Sequence, residues 1–152
     1  LDECAQLLAR ARALKIPVVH IQHDAGPGSP YDPNAECGAI ADKVAPTAGE
    51  VVVVKHYPNS FVGTDLDTCL KAAGVKNLVV AGFMTHMCIN STTRGAFNLG
   101  YAVTVPAAAT ATRALAAPDG SVVEAAALQV AALTALADLF AVVVADAAAI
   151  PD

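Results

Sequence analysis

Five short apolar runs rich in β-branched residues punctuate the chain: VVHIQH (18–23), VVVV (51–54), NLVVAG (77–82), YAVTV (101–105) and FAVVV (140–144). Runs of this length, bounded by Gly, Pro or charged residues, read as strands. Four valines in succession leave no polar face, which is the pattern of a strand covered on both sides in a parallel sheet. Between the runs lie segments with helical spacing. Leu1, Cys4, Leu7, Leu8, Ala11 and Leu14 recur at intervals of three and four until Lys15 and Pro17 supply a stop. Leu66, Cys69, Leu70 and Ala73 repeat the pattern over 65–74, with Thr64 or Asp65 as N-cap and Gly74 as terminator. Ile89, Thr93, Ala96 and Leu99 mark a third helix closed by Gly100, and the Ala-rich stretch 122–139 a fourth. Strands alternating with helices at these lengths imply right-handed βαβ crossovers, so an α/β fold is expected, with a mainly parallel sheet between two helical layers.

The 152 residues are enough for one buried core, and no repeat, linker or charge run divides them, so 1–152 is expected to form a single domain. A composition 55% apolar but only 5% aromatic suits close-packed layers. The net charge of -5 and nine scattered Lys and Arg argue against a nucleic-acid partner, which needs massed cations. Apolar stretches are interrupted well short of the roughly 20 residues of a spanning helix, and no basic, apolar leader opens the chain. No membrane association and a cytoplasmic location are therefore expected. Cys4, Cys37, Cys69 and Cys88 are widely spaced with no CxxC, which indicates neither a zinc knuckle nor a dithiol redox pair but thiols in a reducing compartment.

In an open parallel sheet ligands bind beyond the carboxyl ends of the strands. His23 and Asp24 follow the first run, Lys55 the second, 83–88 the third, and Thr110 and Thr112 lie after the fourth. The loop DAGPGSPYDPN (24–34) is also long enough to carry function. Cys88 stands where strand gives way to helix, a position that favours thiolate over thiol. Taken alone it reads equally well as a small apolar residue packing a first helical turn, and Lys55 as a solvated strand end. His20 and His23 are three apart on a strand and so point to opposite faces, which prevents both from chelating one ion. His20 then reads as a sheet-face histidine and His23 as a pocket residue, and no metal or other cofactor is expected. No GxGxxG or Walker loop follows any of the five runs, so a nucleotide-binding domain finds no support.

The stretch AGFMTHMCINSTTRGAFNLGY (81–101) resembles the nucleophile segment of the isochorismatase-like cysteine hydrolases, the superfamily of nicotinamidases and carbamoylsarcosine amidases. The shared pattern is strand, Gly, two residues, Thr, a polar residue, one more, Cys, then a helix ending near Gly-Tyr. A second block, KHYPNSFVGTDLDTCL (55–70), resembles the lysine segment of that family. The resemblance implies a three-layer α/β/α, Rossmann-like fold with Cys88 as nucleophile and Lys55 as its cationic neighbour. It further implies a cis peptide at Phe83–Met84 and an oxyanion hole from the backbone N–H groups of Met84 and Cys88. Tyr57, Asn59 and Phe61 join His23 as candidate residues of the substrate pocket, and Phe61 reads equally well as ordinary packing. His86 stands where many relatives have Asp or Glu and reads either as a residue lining the substrate pocket or as a cap of the turn, and Ala107 and Ala108 stand where the family often has an Asp before a Thr-containing loop. The Asp-x-His form that nicotinamidases use for a metal is absent. The family's general base is an aspartate in an Ile-Asp-x-Gln-like segment on a central strand, which this sequence lacks. Asp2 and Asp24 are poor substitutes, so no aspartate is carried over. With six strands in the family and five here, roughly thirty residues are expected to precede Leu1.

By the same resemblance, Cys88 attacks an amide-type carbonyl carbon of a small molecule. A thioester forms, the amine leaves with the thiol proton delivered through the carboxylate base, and water then releases the acid. Dimers or tetramers are expected, since relatives assemble so. The alternative is a non-catalytic small-molecule-binding member of the same fold that lacks the base.

Overall fold

Helical spacing over the first dozen residues becomes α1 (Asp2–Ala13) in the computed structural model, which describes residues 1–150. Asp2 and Glu3 lie in its first turn and Arg10 and Arg12 near its end, the order that complements the helix dipole. Strands β1 (Val19–His23) and β2 (Val51–Lys55) pair in parallel, from Val19↔Val51 to His23↔Lys55. Parallel neighbours need a long crossover. Here it contains two 3-10 turns, Glu36–Gly38 and Asp42–Val44. Gln22 Nε2 donates to the Gly38 carbonyl at 2.9 Å. A Cβ at Gly38 would stand 2.2 Å from the Asp32 carbonyl oxygen, so the loop closes only on glycine. Helix α2 (Leu66–Ala72) follows with Asp65 at the N-cap position; the Asp65 side chain makes no cap bond, and the Leu66 N–H donates to Thr64 Oγ1 at 3.3 Å.

Within the stretch expected to form one domain, the chain divides into two compact units, the first spanning 1–75 and the second beginning at Lys76. Positions 151 and 152 lie outside the described residues.

In the first unit, α1 and the amino ends of β1 and β2 meet at Glu50. Arg12 donates from Nε to one carboxylate oxygen and from Nη2 to the other, both at 2.7 Å, and Nη2 also donates to the Ala45 carbonyl at 2.9 Å. The second oxygen of Glu50 further accepts from the Thr47 N–H at 2.8 Å and contacts His20 Nε2 at 2.8 Å. A two-pronged guanidinium–carboxylate pair is the geometry in which charge and direction reinforce each other. The valines of β2 depart from expectation. Val53 is buried, but Val51, Val52 and Val54 are 43%, 40% and 44% exposed, because within its unit β2 pairs with a single strand.

The second unit contains, in order, β3 (Asn77–Val79), β4 (Gly82–Phe83), α3 (Asn90–Asn98), β5 (Ala102–Pro106), β6 (Thr110–Ala111), β7 (Leu115–Ala116), β8 (Val122–Val123), α4 (Ala125–Ala137) and β9 (Val142–Val144). Strands β3, β5 and β9 form a parallel sheet in that order. Val103, Val105, Ala96 and Leu136 are buried in it or beneath it. Residues 77–82, expected as one strand, split. Val80 still donates to the Thr104 carbonyl at 2.9 Å, after which Gly82, at φ 118°, turns the chain to pair with β6 instead. The helix expected from 122 starts at Ala125. Val122 and Val123 pair antiparallel with β7 around Pro118-Asp119-Gly120, where Ala117 N–H donates to Ser121 O at 2.8 Å and Asp119 Oδ1 accepts from Ser121 N–H and Oγ. Such a Pro-Asp-Gly segment is a turn signal, and β-branched residues beside it favour the ribbon over the helix. Every other strand pairing among the described residues is parallel. No helix among them is long and apolar enough to cross a membrane.

The Glu50 carboxyl is held well below the usual carboxylate range, first by the Arg12 hydrogen bonds and then by the Thr47 N–H. The folded chain therefore keeps Glu50 ionised at pH values where the unfolded chain takes up a proton. Its stabilising contribution is complete above the unfolded carboxyl value of about 4.3 and is lost as pH falls below it. In urea titrations between pH 6 and pH 3, the wild-type midpoint should fall more steeply than that of Glu50→Gln, and the two should converge at the acid end.

Candidate active site

The carboxyl ends of β1 and β2 bring His23 and Lys55 side by side. Lys55 is the last residue of its strand, 3% exposed, and its Nζ donates to the Tyr57 carbonyl at 2.9 Å and lies 3.3 Å from His23 Nδ1. An ammonium has only donors, so Nδ1 must accept and the proton of the neutral ring sits on Nε2. Burial, followed by the Lys55 charge, pushes the His23 imidazole below its ordinary value, so the pair carries one positive charge at neutral pH rather than two. The His23 ring meets Tyr31 edge-on at 5.3 Å. After Lys55 the chain exposes Tyr57, and Phe61, half-buried, donates its N–H to Asn59 Oδ1 at 3.0 Å. His20 goes elsewhere, to Glu50 at the opposite end of β1, so the two histidines serve different partners.

In the second unit the Phe83–Met84 peptide is cis, as the resemblance implies. The chain then enters a π-helical turn, Thr85–Ile89, which runs directly into α3. The Met84 carbonyl accepts from both Met87 N–H (3.0 Å) and Ile89 N–H (3.2 Å). Thr85 and Ile89, the first and last residues of the turn, are buried, while Cys88 between them is half-exposed. Cys88 thus lies inside a helical segment rather than opening one. Helical geometry starts at Thr85 because these two buried side chains, four apart, anchor a single wide turn, a form that recurs at functional sites. Met84 and Cys88 stand at the start of this turn and within it. His86 Nδ1 contacts Thr112 Oγ1, just beyond β6. Thr110 is held in turn, donating to the Ala107 carbonyl at 2.9 Å and receiving Gln129 Nε2 from α4 at 2.9 Å.

Tyr31, the pairing of Thr112 with His86, and Gln129 escaped the sequence reading. The place of Thr112 after a strand was a signal, but its partner depends on the two-residue ladder of β4 with β6, which periodicity cannot reveal in so short a run. Tyr31 sits in a Gly- and Pro-rich loop and gave no signal. A cavity of about 430 Å³, lined by Arg12, Ile16, Thr47, Glu50 and Cys69 among others, lies at the amino ends of β1 and β2, and none of the expected site residues lines it. Among the described residues, no group of three or more His, Cys, Asp or Glu is gathered as a metal would require, and the four cysteines form no disulfide.

The sequence profile of the isochorismatase domain matches residues 1–148. The fold resembles the crystal structure of an isochorismatase from Pseudomonas putida with a TM-score of 0.92 and 37% identity, covering 98% of this chain and 78% of that one. The isochorismatase family protein YddQ of Bacillus subtilis is 42% identical over 120 residues, 78% of this chain and 67% of the relative. A streptothricin hydrolase of Streptomyces noursei is 41% identical over 120 residues, and there the chain spans only 44% of the relative's length. The α/β class expected from strand–helix alternation is shown by this likeness.

The His23–Lys55 contact makes a titration readable by NMR. The His23 imidazole should titrate below the ordinary histidine value, and Lys55→Met should move it upward, because removing a neighbouring cation relieves part of the penalty on protonation. An unchanged His23 titration in that variant would mean the ammonium does not act on the ring.

Proposed function

The chain belongs to the isochorismatase family, and on that premise we propose that it is a cysteine-dependent hydrolase that cleaves a C–N, amide-type bond of a small molecule. Hydrolase chemistry accords with the streptothricin hydrolase relative. The observation that carries the cysteine reading is the turn after β4. A carbonyl at Met84 that gathers two N–H groups and a half-exposed thiol at Cys88 occur within five residues of one another, 84–88.

In the proposed reaction Cys88 Sγ attacks the carbonyl carbon, and the C–N bond breaks as the C–S bond forms. The amine departs with the thiol proton. Water then attacks the thioester, releasing the acid and restoring the thiol. The backbone N–H groups of Met84 and Cys88 are the proposed donors to the oxygen that becomes negative, and Lys55 is the proposed cation that steadies the charge. His23 and Tyr57, with Phe61, shape the pocket, and His86 stands behind the nucleophile. The neutral imidazole assigned to His23 offers a donor at Nε2, suited to a substrate carbonyl or carboxylate oxygen. The reading takes a small-molecule substrate and a homo-oligomer, dimer or tetramer, and calls on no metal or other cofactor.

A panel of small primary amides tests the reading. Any substrate found should lose turnover by about 10³-fold or more in Cys88→Ser and by about 10²-fold in Lys55→Met. Wild-type turnover should be accompanied by faster iodoacetamide labelling of Cys88 than of Cys4, Cys37 or Cys69. Undiminished hydrolysis by the serine variant would sink the nucleophile assignment.

A further inference from the structure

We propose that His86 and Thr112 form a clasp that holds the Thr85–Ile89 turn in register, making both of them positioning residues for Cys88. The inference rests on the hydrolase reading and deepens it.

Strand β4 has two residues, and its ladder with β6 ends at Phe83↔Ala111. Thr112 follows directly on Ala111 and meets His86, three residues beyond Phe83, through side chains. The contact extends the tie between the two segments into the turn itself. Within the turn, residues two apart do not share a face. An anchor at 86 therefore sits behind the thiol at 88 and acts on it through the backbone, not by touching it.

The anchor is itself anchored. Thr110, two residues before Thr112, is fixed by the Ala107 carbonyl and by Gln129 from α4. His86 Nε2 is buried and has no hydrogen-bond partner among the described residues, so the polar anchoring of the ring rests on Nδ1 and Thr112. That asymmetry makes the clasp testable by shape. Asn places its amide where Nδ1 lies, whereas Gln reaches toward Nε2. Thr→Ser keeps the hydroxyl, whereas Thr→Val keeps the outline and removes it.

The probe is iodoacetamide, with labelling at each cysteine followed by mass spectrometry so that exposed Cys37 serves as an internal reference in the same molecule. Relative to Cys37, Cys88 labelling should slow roughly tenfold in His86→Ala, His86→Gln and Thr112→Val, since small displacements of a reacting group cost about that much or more. It should stay within about twofold of wild type in His86→Asn and Thr112→Ser, and the double variant His86→Ala/Thr112→Val should be no slower than either single one. Loosening of the whole fold would instead accelerate half-buried Cys4 and Cys69. If Thr112→Val keeps the wild-type lead of Cys88, or if His86→Asn is as slow as His86→Ala, the clasp is wrong while the hydrolase reading stands. Should wild-type Cys88 label no faster than Cys37, the hydrolase reading fails and the clasp with it.

Discussion

A change of hydrogen-bonding partner at Gly82 governs the course of the second unit from β4 into α3. Up to Val80 the chain is tied to β5; from Gly82 it is tied to β6. The switch needs a backbone at φ 118°, where a side chain would be strained, and glycine alone meets it without cost. Everything downstream inherits the new direction: the cis peptide, the wide turn gathered on the Met84 carbonyl, and the contact of His86 with Thr112. A strand that simply continued would deliver Cys88 to a different place.

In the first unit, charge is arranged at both ends of one parallel pair of strands. At the amino end Glu50 gathers Arg12, Thr47 and His20, and at the carboxyl end Lys55 meets His23. The two clusters differ in kind. Around Glu50 opposite charges neutralise one another with every carboxylate oxygen engaged, which is a structural arrangement. At Lys55 a cation faces a ring that the same cation and its burial keep neutral.

Much of this was legible in the residues. The five β-branched runs and the three-and-four spacing of Leu1–Leu14 and of Leu66, Leu70 and Ala73 announced strands and helices that the fold contains, because burial of one face or two leaves a period in the sequence. His20 and His23, expected not to share an ion, meet different partners, Glu50 and Lys55, at opposite ends of β1. What periodicity missed was short or non-local. Two-residue strands such as β4 and β6 carry no period, Val122 and Val123 follow the Pro-Asp-Gly turn beside them and not the helical period of the alanines after them, and the exposure of Val51, Val52 and Val54 depends on how many strands flank β2, not on the valines themselves. The roles of Cys88 and Lys55 were suggested by pattern resemblance, since a thiol or an ammonium after a strand says little alone.

The β7–β8 ribbon has a consequence for engineering. Its tip, Pro118 to Ser121, is exposed and satisfies its own polar groups through Asp119 and the Ala117–Ser121 bond. A loop closed in this way tolerates added length at modest entropic cost. Foreign peptides, such as an affinity tag or a fluorophore acceptor, can therefore be grafted there with little disturbance to the surrounding sheet.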